Sequence, residues 1–181
     1  MMQFFFTGAM QWIVIFAPLA AIFAIGYKIN NVSYNTAQLM LHGFAALMGL
    51  SMATIFVVYA LGSIVTAFMG AAILFATMSL YGYATKRDLK SIGQFMFVGL
   101  IAIVIASIVN IFVGNSALQM AISAIAIIVF LGLTAYDTQR IREIVSEGGD
   151  TRTQEVSGAL SLYLNFINMF VALLQLFGNR E

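Results

Sequence analysis

The chain has 181 residues, of which 62% are hydrophobic and 8% charged, with a formal net charge of +1. A typical soluble domain carries about 25% charged and 45–50% apolar residues, and a globule of this size has no core large enough to hide the surplus, so the composition excludes a soluble enzyme and a disordered chain and points to a membrane protein. The absence of cysteine excludes disulfides and thiolate chemistry, the single histidine, His42, excludes a histidine-rich metal site, and the balanced charge leaves no basic face for nucleic acid.

Six hydrophobic spans follow one another at about 4–26, 36–59, 61–83, 92–113, 116–136 and 156–178. Each is close to the roughly 20 residues that carry a helix across a bilayer core. Helices satisfy their own backbone inside lipid, and no alternation of the barrel type occurs. The expected fold is an all-α integral membrane protein, a polytopic helical bundle forming one domain over 1–181 with six transmembrane helices.

The first span is too long, and too poor in flanking basic residues, for a cleaved signal peptide, and Pro18 should kink it. In the second, Ala46, Gly49 and Ala53 form a small-residue face for close packing, with His42 one turn before it as a bundle hydrogen-bonder or a pH-sensitive group. The third and fourth offer similar faces, Ser63, Ala67 and Ala71, and Gly99, Ala102 and Ala106. The fifth ends on Asp137, with Arg140 one turn on and able to pair with it. Asp137 reads either as a helix-end acid at the water boundary or as an ion or proton site at the mouth of a pore.

The sixth span holds Ser161, Asn165, Asn168, Ala172 and Gln175 at i, i+4, i+7, i+11 and i+14, one continuous stripe on an otherwise apolar helix. Polar groups are costly against lipid, so this helix should be surrounded by others. The stripe serves either as interhelical glue, above all at Asn168 and Gln175, or as the lining of a pathway. The many Met and Phe residues read as packing and lipid-facing surface. No phosphate loop, nucleophile elbow or zinc-protease motif is present, so neither an enzyme nor a cofactor is expected.

The charges set the orientation. Lys28, the segment Lys86–Lys90, and Arg140, Arg142 and Arg152 lie in alternate connections, which hold every Lys and Arg except Arg180. The positive-inside rule places the Lys28, Lys86–Lys90 and Arg140–Arg152 loops in the cytoplasm and both ends of the chain outside.

Four segments together resemble one family. They are Met78-Ser79-Leu80-Tyr81-Gly82-Tyr83 running into Thr85-Lys86-Arg87-Asp88-Leu89; Val109-Asn110-Ile111-Phe112; Thr134-Ala135-Tyr136-Asp137-Thr138-Gln139-Arg140-Ile141; and Ala159-Leu160-Ser161-Leu162-Tyr163-Leu164-Asn165-Phe166-Ile167-Asn168. This resembles the Bax inhibitor-1 (transmembrane Bax-inhibitor-motif) family, and its bacterial members most closely. The resemblance implies seven helices with the last one central, the bacterial inner membrane, and a calcium leak that responds to pH. It implies two carboxylates near the cytoplasmic end of the pore, at the positions of Asp137 and Asn165. For other bacterial members it implies binding to a membrane-bound ATP-dependent protease.

The chain departs from the family twice. A helix that the family has before the position of Met1 is missing, so the chain is expected to be shortened, a fragment, or begun at a late methionine. Asn165 also stands where the family has an aspartate. Two close carboxylates share a proton and titrate as a pair; an acid and an amide do not. Calcium prefers several hard oxygen ligands, so Asp137 alone should bind it weakly, with a flatter pH response.

The leading expectation is a pH-modulated calcium or cation leak with Asp137, Asn165, Asn168 and Ser161 along the pathway, Asp137 as the calcium contact, and Lys28 or Arg140 as gating cations. The alternative is a membrane-embedded regulator that docks a membrane protease or another complex through Thr138 to Glu155. An inactive fragment is the third.

Overall fold

The computed structural model describes residues 22, 25–28, 32–148 and 151–179. Within them lie α1 (Tyr34–Met52), a one-turn α2 (Ile55–Val58), α3 (Leu61–Ala84), α4 (Lys90–Val113), α5 (Ser116–Glu147) and α6 (Arg152–Phe177). Among the described residues no strand occurs, and five helices are long and apolar enough to cross a membrane, α1 and α2 counting as one. The expected span 4–26, with its Pro18, lies outside the described residues except for Ile22, Ile25 and Gly26.

The second span is broken where a continuous helix was expected. Thr54 Oγ1 donates to the Ser51 carbonyl at 3.0 Å, and Ala53 N donates to both Gly49 and Leu50 carbonyls. A hydroxyl competing for backbone acceptors in this way bends or ends a helix. The fifth span differs more. Its helix does not stop near 136 but runs on to Glu147, roughly 16 Å further at 1.5 Å per residue. Arg140 and Arg142 are therefore helical, not in a loop. Ile141 covers Gly158 of α6, so apolar packing continues among the charges and keeps the segment helical.

The turn between α4 and α5 is built from its own residues. Gly114 takes the left-handed conformation at φ 66° that closes a helix, and the Asn115 side chain accepts from Ala117 N and Leu118 N to open the next.

Helices α5 and α6 form the antiparallel centre. Helix α3 packs across both, α4 lies against α5, and α1 against α6. The main core joins Ala67 and Ala71 of α3, Ala126, Phe130 and Leu133 of α5, and Met169, Phe170 and Leu174 of α6. Edge-to-face rings reinforce the α3–α6 seam: Phe68 meets Phe166 at 5.5 Å and Phe75 meets Phe166 at 5.6 Å. The last helix is central as expected, but it shares the centre with α5, and a cavity separates it from α4.

The small-residue faces divide. Ala67 and Ala71 of α3 are buried, as packing requires. On α1, Ala46, Gly49 and Ala53 are exposed, and Ala37 and Phe44 form the buried side instead. The closest backbone approach lies elsewhere: a Cβ on Gly82 of α3 would overlap the Ala135 carbonyl of α5. Helix α4 turns Phe95, Ile101, Ile105 and Phe112 outward, a surface suited to lipid.

Candidate ion pathway

A half-open cavity of about 1250 Å³ lies between α4 and α6, with α5 as its floor. On α5 the residues facing it include Gln119, Ser123, Ala126, Phe130, Leu133 and Asp137, at intervals of three and four that keep them on one side of the helix. On α6 the facing set includes Ser161, Asn165, Asn168, Ala172 and Gln175, the whole predicted stripe. The two stripes run antiparallel, so Asp137 meets Asn165 at one end and Ser123 meets Gln175 at the other. Ser123 and Asp137 are about 20 Å apart along the helix axis.

At the first end, Asn165 Nδ2 donates to Asp137 Oδ2 at 2.7 Å. Asn165 is buried, and Asp137 is half-buried in mid-helix rather than at a helix end. An amide N–H satisfies a carboxylate without a shared proton. Asp137 is the one carboxylate among the described residues that line the cavity. Among the described residues no group of three or more His, Asp or Glu side chains is placed to hold a metal ion.

The remaining expected residues divide as well. Ser161 donates to the Ser157 carbonyl at 3.3 Å and Asn168 to the Leu164 carbonyl at 2.8 Å, both within their own helix. Both border the cavity, and among the described residues neither bonds to another helix. Gln175 does: it accepts from Gln119 and Ser123 of α5. Arg140 borders the cavity near Asp137, and Lys28 is exposed; among the described residues no ion pair joins either cation to Asp137. His42 Nδ1 lies 2.7 Å from the Gln38 carbonyl of its own helix.

Two features escaped the sequence reading. Gln139, two residues after Asp137, is buried and clamps the α3–α4 loop: Leu89 N donates to its Oε1 at 2.9 Å, and its Nε2 donates to the Arg87 carbonyl at 2.8 Å. Arg142 adds bonds to the Tyr83 and Thr85 carbonyls. Next to this clamp, Gly93 of α4 lies flat against the Tyr136 ring, where a Cβ would stand 2.5 Å from it. The second feature is the amide cluster Asn110, Gln119, Ser123 and Gln175 at the far end. The spacing of Gln119 and Ser123 on an apolar span was the available signal for it.

The model of the family described as "Inhibitor of apoptosis-promoting Bax1" matches residues 1–181. The chain is 41% identical over 186 residues to the inner membrane protein YbhL of Escherichia coli strain K12, across 99% of this chain and 80% of that protein. It is 42% identical over 174 residues to the uncharacterized protein RP147 of Rickettsia prowazekii, across 93% of this chain and 73% of that one. An uncharacterized protein of Caulobacter vibrioides is 41% identical over 174 residues, across 93% and 70%. The resemblance read from four segments thus extends over the whole chain.

Proposed function

The chain belongs to the Bax inhibitor-1 family and is an integral inner membrane protein, and from that premise we propose that it is a pH-modulated calcium or cation leak pathway whose inner gate is the Asp137–Asn165 contact. The observation that carries this reading is the 2.7 Å bond between those residues in the wall of a cavity lined by polar groups at both ends. Intramembrane carboxylates in such surroundings mark ion and proton routes.

The site's chemistry favours passage over tight binding. Calcium takes about 6–8 oxygen ligands, and one carboxylate with neighbouring amides supplies few. Between the polar ends the floor is apolar, at Ala126, Phe130 and Leu133, and an apolar stretch resists wetting. An ion is drawn to Asp137, and the apolar stretch keeps the flow small. Asn165 replaces a titrating partner, so the response to pH is shallow.

The test is calcium flux in proteoliposomes. The native protein should leak calcium, and Asp137→Asn should lower the rate about tenfold, since removing a desolvated charge next to the ion costs at least about 1.4 kcal/mol. No flux from either version, in vesicles that hold folded protein, removes the reading.

A second reading has its own observation. Helix α5 extends to Glu147 with Val145, Ser146 and Glu147 exposed, which makes a firm surface on the side assigned to the cytoplasm. Such a surface suits the regulator reading, with a membrane protease or another membrane complex as partner. Crosslinking through residues of this extension in native membranes tests it, and failure to trap any specific partner counts against it.

A further inference from the structure

Among the described residues, the end of the cavity opposite Asp137 is bordered by side chains that carry no charge. Asn110 of α4 donates Nδ2 to Gln119 Oε1 of α5 at 3.0 Å, and Gln119 donates Nε2 to Gln175 Oε1 of α6 at 2.9 Å. Ser123 Oγ donates to the same Gln175 oxygen at 3.0 Å, a bond shared with the Gln119 carbonyl. Asn110 Oδ1 accepts from Asn115 N at 3.1 Å, which ties the cluster to the α4–α5 turn. Asn110 and Ser123 are 7% and 1% exposed.

This chain of bonds joins α4 to α5 and α5 to α6: Gln119, Ser123 and Gln175 line the cavity, and the buried Asn110 holds Gln119 from α4. We propose that Asn110, Gln119, Ser123 and Gln175 form a second closure of the pathway, an uncharged latch in series with the Asp137 gate. The proposal rests on the leak reading for its role in ion flow. Asn110 and Ser123 are buried, Gln119 is half-buried and Gln175 is exposed, and such polar groups pair with one another or with water, so the cluster has two satisfied arrangements: bonded to itself with the helices drawn together, or bonded to water with them apart. An ion passing this end exchanges hydration water for the oxygens of Gln119, Ser123 and Gln175.

The latch differs from the inner gate in what it senses. Amides and hydroxyls do not titrate in the physiological range. The cavity residues beside it, Ser107, Ile108 and Ile111 of α4, Ile122 of α5 and Val171 of α6, are also uncharged. Its opening is therefore independent of pH, and it sets the size of the leak rather than the shape of the pH profile.

The chain has no cysteine, so a single introduced thiol reports access to the cavity. Ala126 lies on the cavity floor beyond the latch and is 6% exposed. Ala126→Cys in vesicles is labelled with a small charged methanethiosulfonate added from the side of the α4–α5 turn. Adding Gln175→Leu removes the acceptor of two bonds on a helix already rich in leucine. An interhelical hydrogen bond in a membrane shifts an equilibrium by about three- to fifteen-fold. Labelling should accelerate by that factor, and calcium flux should rise in parallel with an unchanged pH profile. An unchanged labelling rate overturns the latch. Faster labelling with no flux in any version leaves the latch standing as a water gate and removes the leak reading. If Gln175→Leu does not fold, Ser123→Ala, which deletes one donor, is read in the same way.

Discussion

Asn165 of α6 gives an amide N–H to the carboxylate of Asp137 on α5, at 2.7 Å, and so joins the two central helices at one end of the cavity. The bond suits a charged acid and a neutral amide, and it holds without a shared proton. Two acids in the same places would need that proton to meet at all.

The first prediction concerns stability. Asp137→Ala leaves the buried Asn165 amide without its acceptor, and an unsatisfied buried donor costs about 1–3 kcal/mol. Asp137→Asn keeps an acceptor in place and should cost less than about 1 kcal/mol. Thermal unfolding in detergent, followed by circular dichroism, ranks the two. Equal losses would mean that the bond does not hold the helices.

A second prediction concerns close packing. Gly82→Ala places a methyl on the Ala135 backbone, which cannot turn aside, so α3 must lift from α5. Overpacking of this kind costs about 1–3 kcal/mol. Gly49→Ala meets nothing within 4 Å and should be neutral or slightly stabilising. The same melting curves separate them, and a neutral Gly82→Ala would show that the two helices are not in tight contact.

The third concerns the clamp beside the site. Gln139→Leu removes both bonds to the α3–α4 loop and leaves Leu89 N buried and unpaired, at about 2 kcal/mol. The loop carries Lys86 and Arg87, both exposed, which trypsin cleaves once the loop is freed. Cleavage should therefore accelerate in the variant, and unaltered cleavage would show that Arg142 alone secures the loop.

Several of these features were readable in the residues, and the physics explains which. The polar stripe of α6 was legible because its period of 3.6 stands out against an apolar background, and the structure turns all five of its positions toward the cavity. That Asp137 meets Asn165 was not legible in periodicity, because a helix pattern gives a face and no register; the resemblance supplied the pairing. Gln139 escaped because its partners are backbone groups of Arg87 and Leu89, about 50 positions away, and backbone groups leave no trace in composition. Ala46, Gly49 and Ala53 misled because small residues are at home both against a helix and against lipid. The extension of α5 was read as a loop because charge was taken for an end, although Ile141 carries the apolar contact onward over Gly158.

One comparison bears on all of this: calcium flux against pH for the native protein and for Asn165→Asp, in the same vesicles. The native site has one acid, so its charge changes by a single step. The variant has two, and as pH rises its charge runs from 0 through −1 to −2 by coupled steps. Cation attraction grows with that charge, so the variant's flux should vary more steeply with pH than the native flux. Superimposable profiles from two conducting proteins would mean that ions do not pass the Asp137–Asn165 contact.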